Sequence, residues 1–273
     1  MMRSTSSPPL NKSSEQARSS VSFIKRAGAR LLAILFWLAV WHAGSVTIGQ
    51  DILLVSPITA IKTLLELIGT SEFYQAVGGS LSRILTGFLL GVSLGTLLAA
   101  LSYFVPLLGG LFSPLMHTIK ATPVASFVIL ALVFIKTQYL SVLMAFLMVL
   151  PILYTNVLTG LRGTDKKLLE MARIFRMRPS ARLLGIYLPA AYPNFLSSCA
   201  LALGMSWKAG IAAEVIALPS RSIGEALYQA KIFFSTPEMF AWTLAIILLS
   251  VALEQGVLLL VRLLSRRLEG GTK

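Results

Sequence analysis

The sequence has few charged residues and a single cysteine, and both shortages narrow what this protein can be. Only 13 % of its 273 residues are Asp, Glu, Lys or Arg, which is about half the share found in soluble domains. With Cys199 as the one cysteine, an intrachain disulfide is excluded. The two histidines, His42 and His117, are isolated, and no spacing of His, Cys and carboxylates typical of a metal site is present.

Enzyme motifs are missing as well. The sequence contains no G-x-x-x-x-G-K-[ST] phosphate loop, so we do not expect this chain to bind or hydrolyse ATP. No combination of Ser, His and Asp predicts a membrane hydrolase. We therefore expect no catalytic residue, no metal and no cofactor, and an intramembrane enzyme is the weakest alternative.

Apolar residues are abundant instead: they make up 56 % of the chain, and the mean hydropathy is +0.79. Several apolar runs reach the roughly 20 residues that a helix needs to cross a bilayer. This pattern predicts an all-α polytopic membrane protein with one transmembrane domain over residues 31–268. The six predicted spans are 31–47, 80–103, 111–135, 139–160, 190–217 and 240–264. The third is expected to be broken at Pro114 and Pro123, and a short amphipathic surface helix is expected to start at Ser56-Pro57.

The net charge of +13 is concentrated in three places: the N-terminal arm, the segment 162–182 and the C-terminal tail. This distribution argues against nucleic-acid binding and follows the positive-inside rule, which places all three in the cytosol. Six spans with both termini cytosolic satisfy the loop charges. Residues 1–30 are predicted to form a disordered basic arm. The first apolar run is read as an uncleaved anchor rather than a signal peptide, because Trp41 and His42 stand where small residues precede a cleavage site.

The segment 162–189 is a basic insert between two apolar runs. It is predicted to contain a helix that begins at Thr164 or Asp165 and carries one narrow apolar stripe. The stripe consists of Leu168, Leu169, Met171, Ala172 and Phe175. On the residues alone, an interfacial helix lying on anionic lipid and a helix that docks a soluble partner explain this pattern equally well.

The sequence Glu170-Met171-Ala172, followed by Ile186-Tyr187-Leu188-Pro189, resembles the EAA loop of ATP-binding-cassette (ABC) importer permeases. Further similarity to the nitrate/taurine/bicarbonate-type branch covers roughly residues 50 to 260. Its motifs are Val55-Ser56-Pro57, Ser80-x-x-Arg83, Ala212-Ala213-Glu214 and Ser222-Ile223-Gly224. The chain departs from the family pattern at two positions, with Met171 in place of Ala and Arg176 in place of Gly.

The resemblance implies a type I ABC importer-like permease in a bacterial-type cell membrane. Its partners would be cytosolic ABC ATPase subunits, an extracytoplasmic substrate-binding protein and a second permease copy, as a homodimer. The loop would supply a coupling helix that seats in a groove of the ATPase. The residues that the resemblance assigns to this role are Leu168, Glu170, Met171, Ala172, Arg173, Phe175 and Arg176. A secondary transporter or channel without an ATPase is the main alternative, although the sequence shows no clear internal repeat of hydropathy.

Two sets of residues inside the predicted spans are candidates for specific roles. Gly87, Gly91 and Gly95 recur every four residues, which is typical of close helix packing, either within the chain or between copies. Ionisable groups at membrane depth are costly and often functional, and they suggest a polar pathway for an anionic substrate. The candidate pathway residues are Lys120, Thr122, Asn156, Ser206, Trp207, Lys208 and Glu214. Buried structural hydrogen-bond networks are the alternative reading of this set.

Overall fold

A computed structural model describes residues 28, 32–50 and 52–269 of the chain, with the backbone alone for residues 258 and 260–269. Except for Gly28, the predicted arm 1–30 lies outside the described residues. The chain divides into two compact units, Met1–Thr59 and Ala60–Lys273. All helices and turns below belong to the described residues, among which no strand occurs.

The helices are numbered here in chain order. They are α1 Leu32–Ile48, α2 Pro57–Ile68, α3 Ser71–Phe104, α4 Pro106–Ala121, α5 Val124–Leu132, α6 Thr137–Arg162, α7 Lys166–Ile174, α8 Pro179–Arg182, α9 Leu188–Ala217, α10 Ile223–Ile232 and α11 Thr236–Glu269. A π-helical turn, Leu183–Tyr187, joins α8 to α9.

Four stretches of helix are long and apolar enough to cross a membrane, which confirms the polytopic all-α class. They are Ser71–Phe104, Thr137–Arg162, Pro179–Ala217 and Thr236–Val257. The bent pair α4 and α5 raises the number to five if it counts as one span, and α1 is a shorter apolar helix of 17 residues. The count of six spans therefore stays a prediction.

The helix that contains the predicted second span begins at Ser71, nine residues before residue 80. Its N-cap is Thr70, whose side-chain oxygen accepts a hydrogen bond from the Phe73 backbone N–H at 3.3 Å. The hydropathy pattern does not show this start because Ser71, Glu72 and Gln75 interrupt the apolar residues of the first turns. A capped helix nevertheless continues through polar residues.

The break in the third apolar region lies at Pro123, as predicted, where α4 and α5 meet at 98°. Thr122 takes an extended conformation, with φ −75° and ψ 124°, which is what a residue before proline prefers. The expected break at Pro114 is wrong, because Pro114 lies inside α4. Membrane helices tolerate proline where neighbouring groups satisfy the freed backbone.

In the second unit, α6 packs along both α3 and α9. Its residues Val149, Leu153 and Tyr154 are buried in the main apolar cluster, and the Tyr154 hydroxyl lies 3.1 Å from the Ser102 hydroxyl of α3. Since α7 follows the end of α6 directly, the insert is attached to the central helix of this unit.

Candidate functional site

Helix α7 begins where the sequence predicts. Asp165 is its N-cap, and the carboxylate accepts a hydrogen bond from the Lys167 backbone N–H at 2.9 Å. In the preceding turn, the Thr164 hydroxyl donates to the Leu161 carbonyl at 2.8 Å. The link between α6 and α7 is thus short and held by hydrogen bonds.

The predicted apolar stripe of α7 contains both buried and exposed side chains. Ala172 is only 1 % exposed and points into the protein, whereas Leu168 and Met171 are 45 % and 53 % exposed. Ile174 and Phe175, at 78 % and 72 %, are the most exposed apolar residues of the segment. We call Leu168, Met171, Ile174 and Phe175 the coupling surface, after the role that the family resemblance predicts for this helix.

Ile174 was missed in the sequence because it follows Ala172 and Arg173 outside the assumed stripe. The signal was present nonetheless, since Ile174 lies three residues after Met171 and helical residues at that spacing are neighbours. Charged residues flank the coupling surface, and Lys167, Glu170 and Arg173 are all exposed. The surface therefore has an apolar centre with a mainly basic rim.

The end of α7 explains the unusual position of Arg176. This residue has φ +49°, in the left-handed region. Its N–H bonds the Arg173 carbonyl at 3.0 Å, and the Met177 N–H bonds the Ala172 carbonyl at 2.9 Å, which together form a Schellman motif. Glycine is favoured at this position because a side chain costs about 1–2 kcal/mol there. The departure from the family glycine thus falls on a strained residue.

The three regularly spaced glycines of α3, Gly87, Gly91 and Gly95, lie against α6. A Cβ on Gly91 would lie 2.6 Å from the Val149 Cβ, and one on Gly95 would lie 2.8 Å from the Leu150 carbonyl oxygen. A Cβ on Gly87 would collide with the Val142 carbonyl. The close approach is therefore between α3 and α6 of one chain.

The candidate pathway residues fall into two groups. Lys120 and Lys208 are exposed, and Thr122 and Asn156 are half-buried. The Lys120 ammonium donates to the Thr155 hydroxyl at 3.1 Å. The Asn156 amide donates to the Ile152 carbonyl at 2.9 Å, within its own helix.

Ser206, Trp207 and Glu214 are instead buried in the protein. The Trp207 indole donates to the Ile246 carbonyl of α11 at 3.2 Å, and the Ser206 hydroxyl donates to the Leu203 carbonyl at 2.9 Å. The seven candidates do not form one surface, because these three side chains point away from the exposed face of α9.

Glu214 forms a polar cluster with α3. Its side chain is fully buried, accepts a hydrogen bond from the Ser80 hydroxyl at 2.5 Å and forms an ion pair with Arg83, whose Nε lies 3.2 Å away. The Arg83 Nη2 also donates to the Arg221 carbonyl at 3.0 Å. The Ser80 oxygen in turn accepts from the Ile223 N–H at 2.9 Å. We call Ser80, Arg83 and Glu214 the Glu214 cluster.

Two glycines allow the segments of this cluster to approach one another closely. A Cβ on Gly79 would collide with the Arg221 carbonyl, and one on Gly224 would collide with Glu214. Sequence reasoning did not pair Glu214 with Arg83. However, Ser80, Arg83, Glu214, Ile223 and Gly224 belong to motifs that carry the family resemblance, and the structure brings three of those motifs into one place.

The described residues hold no group of three or more His, Cys, Asp and Glu side chains that could bind a metal ion.

Comparison with known proteins identifies the class. The family of binding-protein-dependent transport system inner membrane components matches residues 91–270. The chain belongs to this family and is the multi-pass membrane permease subunit of an ABC importer. Permeases of this family are not themselves enzymes.

Similar proteins cover much of the chain. One, named an aliphatic sulfonates transport permease protein, SsuC, of Bacillus subtilis, is 28 % identical and spans 98 % of this chain and 97 % of its own length. The taurine transport system permease protein TauC of Escherichia coli is 23 % identical over 84 % of this chain and 83 % of its own. The bicarbonate transport system permease protein CmpB of Synechococcus elongatus is 28 % identical over 58 % and 57 %.

A crystal structure described as an amino acid ABC transporter with histidines shares the fold. Its TM-score is 0.54 at 19 % identity, and the match covers 72 % of this chain and 93 % of that one.

Proposed function

We propose that this permease imports a small anionic solute and that a separate cytosolic ATPase drives it through α7. The observation that carries the proposal is the coupling surface. Ile174 and Phe175 are exposed at the end of a short charged helix, and exposed apolar patches with polar rims mark interaction sites. A docked ATPase explains why these side chains remain outside the protein.

The attachment of α7 supports its role as a lever. One turn stabilised by Thr164 joins α7 to α6, and α6 packs along α3 and α9. The α3 glycines bring α3 into direct backbone contact with α6. A push on α7 would therefore move the packed helices together, and ATP-driven closure of the ATPase pair would shift the permease between inward-open and outward-open states.

The orientation and assembly belong to the same proposal. Six spans, both termini and α7 in the cytosol, and the loop before α11 outside together agree with the loop charges. An extracytoplasmic binding protein, on which this family depends by name, would dock on the outer loops, including 218–238. Two copies of the permease would form the pathway, since one chain of this family supplies half of it.

Lys208 supports a pathway between two copies. It lies on the exposed face of α9 with Leu201, Met205 and Ala212, about 13 Å along the helix from Ala217. A lysine that faces lipid at such depth costs about 2.5–3.5 kcal/mol. A water-filled pathway removes this cost and gives Lys208 a role in attracting an anion. We assign the pathway to Lys120, Thr122, Asn156 and Lys208, whose side chains are at least partly accessible.

The solute class rests on these lysines and on the relatives, whose names specify sulfonates, taurine or bicarbonate. The test is ATP-dependent uptake of taurine, a short alkanesulfonate and bicarbonate into proteoliposomes with the assembled transporter. Lys208→Met should lower uptake of the transported anion by about tenfold or more, a loss of about 1.4 kcal/mol in transition-state stabilisation. Lys62→Met, which removes an exposed lysine of α2, is the control.

Uptake by Lys208→Met equal to that of the wild type would remove the lysine from the pathway. Uptake driven by a sodium or proton gradient without ATP would instead favour a secondary transporter. Family membership argues against that alternative.

A further inference from the structure

The Glu214 cluster belongs neither to the coupling surface nor to the pathway residues assigned above. We propose that Arg83 and Glu214 are positioning residues that join α10 to α3 and α9. When the binding protein docks on α10, the displacement of α10 is then transmitted to α9, the helix that carries Lys208. This inference rests on the proposed function, because it needs an extracytoplasmic partner. The proposal requires that α3, α9 and α10 move as one rigid body.

Arg83 holds two segments at once. Its Nε bonds the carboxylate of Glu214 on α9, and its Nη2 bonds the Arg221 carbonyl just before α10. The guanidinium is planar, so these two bonds fix direction as well as distance. Apolar contacts alone would allow the loop to slide over α3.

Ser80 provides a second link between α9 and α10. Its hydroxyl donates to Glu214 and accepts from the Ile223 N–H at the first residue of α10. The Glu214 carboxylate therefore receives a donor on each oxygen, one from Ser80 and one from Arg83. A buried charge without such partners would be strongly unfavourable, so the cluster is stable only when all three segments are in register.

The conformation of the loop between α9 and α10 depends on these hydrogen bonds. Leu218 and Arg221 have φ +51° and +55°, a left-handed conformation that is unfavourable for residues with side chains. Strained backbone persists where surrounding contacts over-determine it. The Arg83 bond to the Arg221 carbonyl is such a contact, and it restrains the only covalent connection between α9 and α10.

Helix α10 has a surface on which a partner can act. It ends at Ile232, followed by Phe233 and Phe234, all three of which are exposed. At the other end of the connection, Lys208 lies six residues before Glu214 on α9, about 9 Å along the axis. A displacement of α10 is therefore transmitted through the Glu214 cluster to the part of α9 that carries Lys208.

The experiment measures ATP hydrolysis by the assembled transporter in nanodiscs, with and without the solute-loaded binding protein. Glu214→Gln and Arg83→Met should keep basal hydrolysis within about twofold and lower stimulation by the binding protein by about tenfold, within the usual range of coupling between sites. Arg83→Lys, which retains the charge but not both hydrogen bonds, should be intermediate. Glu225→Gln is the matched control, since that carboxylate lies in the same region and accepts from the Arg221 N–H.

Stimulation equal to that of the wild type in both variants would overturn the inference, and so would a parallel fall of basal and stimulated hydrolysis, which indicates a purely structural role. If Glu214→Gln does not assemble, Ser80→Ala, which removes one hydroxyl, is judged by the same two outcomes. Failure of the wild-type complex to respond to any binding protein would count against the proposed function instead.

Discussion

Phe175 offers a quantitative prediction for the coupling surface. An aromatic side chain buries about 150–250 Å² when fully covered, and Phe175 is 72 % exposed, so about 110–180 Å² is open to a partner. At about 25 cal/mol per Å², covering this area stabilises the complex by at most about 3–4.5 kcal/mol. Alanine retains one methyl group, and we expect Phe175→Ala to cost about 2–3 kcal/mol, or a 30- to 150-fold weaker affinity for the ATPase.

The assay is the affinity of purified ATPase subunits for the permease in nanodiscs. Phe233→Ala is the matched control, because Phe233 is 75 % exposed but lies between α10 and α11, on the side predicted to be extracytoplasmic. The reasoning would be refuted by Phe175→Ala binding as tightly as the wild type, or by an equal loss in Phe233→Ala.

The other predictions concern stability, measured by thermal unfolding with a thiol-reactive dye that reports exposure of the half-buried Cys199. Gly91→Ala, whose Cβ would lie 2.6 Å from Val149, should destabilise by about 2 kcal/mol and lower Tm by about 4–8 °C. Gly204→Ala, with open space at its Cβ, should leave Tm unchanged or raise it slightly, because alanine suits a helix interior better than glycine. A fall in Tm equal to that of Gly91→Ala would contradict the α3–α6 contact. Arg176→Gly should raise Tm by about 2–4 °C by relieving the left-handed strain, net of glycine's entropy cost, whereas a fall would contradict the Schellman geometry.

Much of the fold follows from local pattern. Apolar runs identify the long helices, and Asp165 marks the start of α7 because a capping carboxylate satisfies free N–H groups. Two features of the helices are not evident from the local pattern. Polar residues within the first turns of α3 hide its start at Ser71, and Pro114 indicates a break although a helix can pass through it.

The site was less predictable, because it depends on contacts between distant segments. Glu214 has Arg83 as its partner across 131 positions of sequence, which periodicity cannot reveal. The division of the α7 stripe into buried Ala172 and exposed Ile174 likewise depends on what α7 packs against. Sequence gives the spacing of such residues, and only the tertiary fold decides which of them face outward.

The central claim is that α7 receives the ATPase, and site-specific photo-cross-linking tests it most directly. A photoreactive residue at Met171 or Ile174, both exposed, should cross-link to the ATPase subunit in the assembled complex. The same group at Phe234, which is also exposed but lies beyond α10, should give no ATPase adduct. An assembled and active transporter in which neither α7 position reaches the ATPase would contradict the account.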